Sequence, residues 1–360
     1  MLHKVQRTFW GGNERMKKQQ IKTMEELSEA IGVSRPTLSR YFQSPESVRG
    51  STSEKIRRGL ERVEYVPNFF ATRMNRKSTR MIGVIIPYLN DLFFTNLLES
   101  IEIAAMQAGF TVITQCSHSD PEIEARAAET LLSMNVDGAL VIPLGNQSDL
   151  AAHRRLRAQL PFVLVDSRPA TMSDVDYVGT DHAHGIGVIT EYLCRVGEPP
   201  VFLAMPRVNF NAVEKENAFV ERMTAMGHAP EVIGTDLIRE DWHFEPHGEA
   251  VMDACFARGE YTDRSILCAN DRVAIGALRA AARHGLVPRR GPKGGLRIAG
   301  YDDYPLSPYT FPSLTTVAQD FEGIATAAVS RLLSLIESGG AGGGPQIELL
   351  GGVLKLRESA

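Results

Sequence analysis

The amino-acid sequence predicts an all-α N-terminal head followed by an α/β body built from two lobes. At 360 residues, the chain is longer than an ordinary single domain. Its charge is unevenly divided: residues 1–80 contain 17 Lys and Arg against 8 Asp and Glu, whereas residues 81–360 contain 22 against 35. The second part alternates short apolar runs with amphipathic segments, as parallel strands covered by helices do. About ten strands in roughly 280 residues favour two lobes over one sheet.

The composition excludes several classes of protein. Hydrophobic residues make up 43% and charged residues 23%, which argues against wholesale disorder. The sequence has no apolar run long enough to cross a membrane and no signal-peptide pattern at its start, so we expect a cytoplasmic protein without a membrane partner. The four cysteines stand far apart, without the spacing of a disulfide framework or a zinc site, and we expect core thiols and no metal. These are Cys116, Cys194, Cys255 and Cys268.

The basic head is typical of a domain that contacts a polyanion. Its net charge of +9 precedes a body of −13 within the overall −4. Nucleic acid is the most common partner of such a head, and the acidic body is kept away from it by like-charge repulsion. On charge alone, a solvated basic surface without a partner remains an alternative.

Two short helices joined by a tight turn are predicted in the head. The segment TMEELSEAIGVSRPTLSRYF, from Thr23 to Phe42, places its apolar residues at helical spacing. We expect Gly32 to end the first helix with a left-handed backbone. Ser34 is expected to accept hydrogen bonds from the amides that open the second helix, and Pro36 fits the first helical turn.

The second helix presents arginines and hydroxyls near its N-terminal end. A helix-turn-helix uses such residues in the major groove, because Arg can bind guanine edges and Ser or Thr can reach phosphates. A helical hairpin with a merely solvated face would look similar. The outward residues are Arg35, Thr37, Ser39 and Arg40.

The continuation of the chain resembles a known family. A third amphipathic helix is predicted over residues 53–63, and YVPN and a KS linker then lead into the apolar run IGVIIP. Together with AIGVSRPTLSR, this order resembles bacterial transcription regulators of the lactose-repressor (LacI/GalR) type. The resemblance starts at about Met16. Residues 1–15 lie outside it and are predicted to be a disordered extension, with an upstream start codon and Met16 as the natural beginning as the alternative.

The resemblance implies a helix-turn-helix domain over 16–66 and a hinge helix and linker over 67–80. In this family the hinge folds on DNA, and the residue matching Met74 enters the minor groove, a role for which Met is apolar and flexible enough. The alternative is that Met74 and Phe70 are linker residues that pack on the body. The DNA-binding residues implied are Thr23, Arg35, Pro36, Thr37, Ser39, Arg40, Thr52, Tyr65, Asn68 and Met74.

Polar residues follow the apolar runs of the body. The carboxyl ends of parallel strands face the crevice in which ligands bind, so these residues are expected to line one cleft. For Asp181 and Asp271, capping of the next helix is at least as well supported. The strand-end residues are Tyr88, Asn90, Asp91, Asp166, Thr180, Asp181, Asn270, Asp271, Asp302 and Asp303.

The resemblance also implies the organisation of the body over 81–360. It implies two Rossmann-like lobes joined by three crossovers, as in periplasmic binding proteins, with a small effector between them. Lobe 1 is predicted over 81–178 and 321–346, and lobe 2 over 179–320 and 347–360. The effector-binding residues implied are Phe94, Asp166, Lys215, Trp242, Asn270, Asp302 and Phe321.

These residue types suit a sugar or a similar polyol. Carboxylates and an amide can bind vicinal hydroxyls, while aromatic rings cover an apolar ring face. Phe321 could equally be a core residue. The family normally has arginine at Lys215, whose bidentate geometry lysine cannot reproduce, so a different ligand is expected. Arg168 and Arg207 would favour a sugar acid or sugar phosphate if they turned toward the cleft, but a solvated position fits both.

The predicted function is regulation of transcription. We expect a homodimer that reads a near-palindromic DNA operator at the nucleoid and whose affinity is set by the effector. Leu97, Leu98 and Ile101 are candidates for the dimer contact, with burial inside the lobe as the alternative. An enzyme is disfavoured, since GxGxxG after the first strand, the phosphate-loop motif and GxSxG are absent and no cofactor is implied. A solute-binding protein is the other alternative, disfavoured by the basic head.

Overall fold

A computed structural model describes most of the chain. The described residues are 19–67, 78–235, 242–289, 295–339 and 344–360. The chain separates into two compact units between Thr79 and Arg80. The predictions for residues 1–15 and for the hinge positions 68–77, including Asn68 and Met74, fall outside the described residues.

The head is a small three-helix unit. Its helices are α1 (Met24–Ile31), α2 (Arg35–Gln43) and α3 (Gly50–Arg62), with a 3-10 turn at Pro45–Ser47 and a parallel strand pair β1 (Gln19–Gln20) and β2 (Val63–Glu64). Leu27, Leu38 and Ile56, one from each helix, are fully buried. They form the centre of an apolar core that holds the three helices together.

The turn between α1 and α2 confirms one prediction and corrects another. Gly32 has a φ of 66° and ends α1, and its N–H donates to the Ser28 carbonyl over 2.9 Å. Ser34 stands at the N-cap of α2, but its side chain caps no amide; its hydroxyl instead pairs with that of Thr37 at 2.9 Å. The predicted capping by Ser34 is therefore wrong.

Helix α3 begins at Gly50, three residues before the predicted start. The amides of Thr52 and Ser53 both donate to the Arg49 carbonyl at 2.9 Å. This first turn carries no apolar side chain, so hydrophobic periodicity gives no signal for it.

The body unit alternates strands and helices, as predicted. Its strands are β3 (Met81–Ile86), β4 (Thr111–Cys116), β5 (Gly138–Val141), β6 (Phe162–Val165), β7 (Tyr177–Asp181), β8 (Val201–Leu203), β9 (Val232–Ile233), β10 (Ser265–Cys268), β11 (Arg297–Ala299), β12 (Thr316–Ala318), β13 (Ile347–Gly351) and β14 (Val353–Lys355). Its helices are α4 (Leu92–Gln107), α5 (Pro121–Ser133), α6 (Leu150–Gln159), α7 (His182–Val196), α8 (Phe210–Ala225), α9 (Phe244–Ala257), α10 (Asp271–Arg283) and α11 (Phe321–Glu337).

These elements form two lobes, each with its own parallel sheet. The first sheet has the order β13-β7-β6-β5-β3-β4, and the second β11-β10-β8-β9. Each sheet packs its own apolar core, one centred on α4 and α11 and the other on α7, α8 and α10. Two connecting segments, β12 and β14, pair antiparallel between the lobes.

The chain crosses between the lobes three times, and the crossing points differ from the predicted boundaries. Strand β7 runs through Asp181 in the first sheet, and β13 pairs with it along its whole length, from Ile347 to Gly351. The predicted boundary placed 179–181 and 347–351 in lobe 2, whereas the sheet register places them in lobe 1. β13 is an edge strand with largely exposed side chains, so its sequence pattern does not indicate which sheet it joins.

Helix α4 offers no dimer contact at the predicted residues. Leu97, Leu98 and Ile101 are buried within the core of the first lobe. The alternative interpretation, burial inside the lobe, is therefore confirmed for these three residues.

A buried carboxyl group holds the loop that follows β5. Glu124, on α5, accepts hydrogen bonds from the amides of Leu144 and Asp149, and from the Ser148 hydroxyl. Burial raises the pKa of the Glu124 carboxyl to about 7. His153 lies 3.5 Å from it, and burial lowers the pKa of His153 to about 4, so this histidine is neutral near pH 7.

We expect Glu124→Gln to change how stability depends on pH. Between about pH 4.5 and 7, native Glu124 retains a proton that the unfolded chain has released, so rising pH lowers the free energy of unfolding. Glutamine removes this contribution. The stability of the wild type relative to the variant should therefore fall across that window, by at most about 1.4 kcal/mol per pH unit.

Urea unfolding at several pH values measures this difference. The matched control is Glu129→Gln on the same helix, at a carboxylate whose side chain is 64% exposed. A wild-type-to-variant difference that stays constant from pH 4.5 to 7 would contradict the assignment to Glu124.

Candidate functional site

The N-terminal part of α2 presents a polar and cationic surface. Arg35, Pro36 and Arg40 are exposed, and Thr37 and Ser39 are half-buried. Arg35 pairs with Glu25 at 3.0 Å, whereas no ion pair of Arg40 occurs among the described residues. Arg40 is therefore the arginine of this surface that is most available to an anionic or hydrogen-bonding partner.

The other three described head residues also have structural roles. Thr23 is the N-cap of α1, where its hydroxyl accepts from the Glu26 amide at 3.1 Å. Thr52 lies half-buried in the first turn of α3. Tyr65 packs its ring 5.9 Å from that of Phe42, and burial raises the pKa of its hydroxyl. DNA contacts by these three residues stay predictions.

In the body, the ends of several strands and helices meet in one cleft between the lobes. The space open inside it is about 40 Å³, well below the usual range for small-molecule sites, so the cleft is nearly closed in this structure. Six of the seven predicted effector residues line it. The lining residues are Asp91, Phe93, Phe94, Asp166, Met205, Asn209, Asn211, Lys215, Trp242, Phe244, Asn270, Arg272, Asp302, Tyr304 and Gln319.

A buried ion pair lies at the centre of this cleft. Lys215 Nζ on α8 is 3.2 Å from Asp302 Oδ1, which follows β11, and both side chains are largely buried. Gln319 donates to the same carboxylate at 2.7 Å and also bonds to Thr180 at the end of β7. The Lys215 ammonium lies 4.4 Å from the centre of the Tyr301 ring. The pair is thus connected to two of the interlobe crossovers.

Asp166 provides a second carboxylate of the cleft, which forms no ion pair within 4 Å among the described residues. It follows β6 in a left-handed conformation with φ 66°, and its side chain accepts one long hydrogen bond, 3.4 Å from Asn211 Nδ2. Burial raises the pKa of Asp166 to about 7, although the nearby Lys215 opposes the shift. Burial also raises the pKa of Asp302.

Aromatic rings form one wall of the cleft. Phe94 packs edge-on against Trp242 at 5.6 Å, and Trp242 packs against Phe244 at 5.7 Å. Phe321 does not belong to this wall. As the first residue of α11, it packs edge-on against Phe93 at 5.1 Å, so Phe93 takes the lining position predicted for Phe321.

An ion-pair cluster that sequence reasoning missed connects the two lobes. Arg272 of α10 donates from Nη1 to Asp91 of lobe 1 at 2.8 Å, and its Nε and Nη2 each donate to Glu245 at 2.7 Å. Burial raises the pKa of the Asp91 carboxyl, although Arg272 opposes the shift. Asp91 follows β3 and is one of the predicted strand-end residues, but its partner Arg272 lies 181 positions further along the chain.

The neighbouring Asn270 and Asp271 divide their roles differently from the prediction. Asn270 lines the cleft and is also the N-cap of α10, accepting from the Val273 amide at 2.8 Å. Asp271 is fully buried and accepts from the Tyr304 amide and from the Ser307 and Thr316 hydroxyls. Burial raises its pKa to about 8. Asp271 therefore anchors the following loops rather than capping the helix.

Other candidate groups lie outside the cleft lining. Arg207 pairs with Glu216 at 2.9 Å, and Arg168 stacks over the Tyr177 ring at 5.3 Å. Asp181 caps α7 through the His184 amide. Cys255 and Cys268 are buried free thiols, whereas Cys116 and Cys194 are partly exposed, so only the first pair occupies the core as predicted.

The described residues contain neither a metal-binding cluster nor a membrane-spanning helix. Across these residues, no group of three or more His, Cys, Asp or Glu side chains could hold a metal ion. None of the helices in these segments combines the length and the apolar character that crossing a membrane requires.

Lys215→Met is expected to destabilise the body strongly. It leaves the Asp302 carboxylate buried without its cation, which typically costs about 3–5 kcal/mol. Guanidinium unfolding above pH 7 measures the loss. The matched control is Arg157→Met, which breaks the exposed pair with Asp174 and should change the stability much less. If the two variants proved equally stable, the Lys215–Asp302 pair would contribute no more to the stability of the body than an exposed ion pair does.

Comparison with known proteins supports both units. A helix-turn-helix model matches residues 14–64, and a periplasmic binding protein-like domain model matches residues 201–360. The chain is 27% identical over 320 residues to the transcriptional regulator MalR of Streptomyces coelicolor, covering 87% of this chain and 90% of MalR. It is 26% identical to the transcriptional repressor CytR of Escherichia coli, covering 92% of this chain and 94% of CytR.

The fold matches a solved regulator as well. A lac repressor dimer bound to operator and the anti-inducer ONPF superimposes with a TM-score of 0.79 at 27% identity, over 94% of this chain and 98% of that one. The relatives named here are regulators or repressors of transcription and not enzymes. With its helix-turn-helix head and two-lobed body, the chain is similar over nearly its whole length to DNA-binding transcriptional regulators of the lactose-repressor (LacI/GalR) type.

Proposed function

We propose that this protein is a repressor whose affinity for a DNA operator is controlled by a small polyhydroxylated effector bound between the two lobes. It acts as a homodimer on a near-palindromic site in the cytoplasm, at the nucleoid. One observation carries the proposal: a single chain combines an exposed cationic recognition helix with a cleft lined by buried hydrogen-bonding groups and aromatic rings.

In the head, α2 is the element that reads the operator. Arg40 and Arg35 provide planar cations suited to guanine edges, and Thr37 and Ser39 provide hydroxyls suited to phosphates or bases. Arg35 must exchange its exposed contact with Glu25 for DNA, which costs little because such pairs are weak. Two such heads in a dimer would read two half-sites of an inverted repeat.

In the body, the effector acts through the lobe arrangement. Asp166, Asp302 and Asn270 provide hydrogen-bond acceptors for hydroxyls, and Phe94 and Trp242 cover an apolar ring face. Gln319 and Thr180 link Asp302 to the crossovers, so a ligand that moves Asp302 also acts on the segments that join the lobes. A ligand alters DNA affinity only to the extent that it prefers one lobe arrangement.

Selection from a random duplex library tests the proposal. The full chain should enrich an inverted repeat, and its affinity for that repeat should fall steeply with salt, because several phosphates are neutralised. Failure to enrich any repeat over scrambled sequence, together with a flat salt response, would contradict the proposal.

Arg40→Ala should weaken binding to the selected repeat by about 1–3 kcal/mol and reduce its preference over random DNA, if Arg40 reads a base. Fluorescence anisotropy with both duplexes measures the two affinities. The control is Arg58→Ala on α3, an arginine paired with Glu54 on the same helix, which should leave discrimination unchanged. If the Arg40→Ala variant kept its full preference for the selected repeat over random DNA, another residue would read the bases.

A further inference from the structure

The charges that line the cleft are not balanced. Its lining includes three carboxylates, Asp91, Asp166 and Asp302, against two cations, Lys215 and Arg272. Arg272 is further engaged by Glu245, whose two oxygens bind its guanidinium at 2.7 Å. An anionic ligand would have to displace one of these carboxylates, at the cost of leaving it buried without a partner.

Both cations already have anionic partners. The Lys215 ammonium is held by Asp302 on one side and by the Tyr301 ring on the other. Arg272 uses Nη1 for Asp91 and both Nε and Nη2 for Glu245. Sugar acids and sugar phosphates are possible ligands on the sequence alone. Among the described lining residues, however, every cation already has an anionic partner.

Two hydrogen-bond acceptors with few donors lie together among the described lining residues of the cleft. Asp166 receives one long bond from Asn211 Nδ2, and the Asn211 Oδ1 atom is buried without a hydrogen-bond partner. Both side chains are more than nine-tenths buried. A buried acceptor without a donor is costly, so this end of the cleft needs a ligand group that donates several hydrogen bonds.

We propose that the effector is a polyol bearing a basic nitrogen, an amino-sugar-like cation whose ammonium group binds between the Asp166 carboxylate and the Asn211 amide oxygen. An ammonium group carries three donors and no acceptor, which matches two acceptors and adds the missing positive charge. The adjacent aromatic wall is also compatible with a cation. This inference rests on the proposed effector site and assigns the chemical class of its ligand.

The electrostatic state of Asp166 is consistent with this assignment. Burial, Asp302 and Glu214 raise the pKa of Asp166 to about 7, while Lys215 opposes the shift. A ligand ammonium beside this carboxyl would favour its ionised form. A neutral hydroxyl group would donate hydrogen bonds, but it would leave the negative charge of the Asp166 carboxylate without a counter-charge.

Matched sets of sugars test the class of ligand on the full chain. Glucosamine, galactosamine and mannosamine are compared with their neutral parents, with glucuronate and galacturonate, and with glucose 6-phosphate, near pH 7.5. Thermal shift and calorimetry should show at least one amino sugar binding about 10- to 100-fold tighter than its parent, and no acid or phosphate binding tighter than its parent. An anionic or neutral compound that binds tightest, or a set in which no amino sugar binds, overturns the proposal.

Asp166→Asn tests the position of the ammonium. Asparagine tolerates the left-handed backbone at this residue, so the substitution removes the charge without adding strain. The variant should lose the preference for the amino sugar over its parent. The control Asp174→Asn, at an exposed carboxylate of the same lobe, should keep it.

A measurement without ligand provides a second check. Because Asp166 has no cationic partner, Asp166→Asn should unfold at the same temperature as the wild type or higher, whereas Asp302→Asn breaks the pair with Lys215 and should unfold lower. If both variants were destabilised equally, the Asp166 carboxylate would already have a cationic partner within the protein, and the proposal would be overturned.

These outcomes are separable from those of the proposed function. A chain that enriches an inverted repeat but prefers a neutral or anionic sugar remains a regulator with a different ligand. A chain that prefers an amino sugar but enriches no DNA repeat retains the ligand class and loses the proposed operator.

Discussion

The buried ion pair between Lys215 and Asp302 is the contact on which the geometry of the cleft depends. Lysine comes from a helix, aspartate from a strand end, and Gln319 links the aspartate to Thr180 in the other lobe. A buried charge cannot lose its partner without a large penalty, so these groups can rearrange only together. Such a network favours discrete arrangements of the lobes over gradual deformation, and two discrete states are what a ligand-controlled regulator requires.

The sequence was most informative where elementary geometry decides the position of a residue. Asp166, Asn270 and Asp302 each follow a strand, and the carboxyl ends of parallel strands point to the crevice, so their common location could be predicted. Gly32 was equally predictable, because a left-handed helix end favours glycine. Phe321 was implied only by the family resemblance, and its neighbour Phe93 occupies the space beside the cleft.

Contacts that depend on how the lobes approach each other could not be predicted. Nothing local at Asp91 or Arg272 indicates their pairing, and Asn211 lies on a helix where periodicity gives no sign of an unpaired amide oxygen. Either Asn or Asp can cap a helix, so the sequence did not indicate that Asn270 caps α10 while Asp271 accepts a hydrogen bond from the distant Thr316 hydroxyl. Strand β13 could not be assigned to a sheet, since an exposed edge strand carries no pattern of burial.

The triple crossing of the chain has a consequence for its synthesis. Residues 347–351 add the edge strand of the first sheet, whereas Val353–Lys355 pair with β12 and the Ser359 carbonyl accepts from Ile298 in the second lobe. The last fourteen residues therefore complete both lobes. While these residues are still within the ribosome, neither sheet has its full set of hydrogen bonds, so both lobes reach their final packing only after translation has passed this segment, and the emerging chain must remain soluble until then.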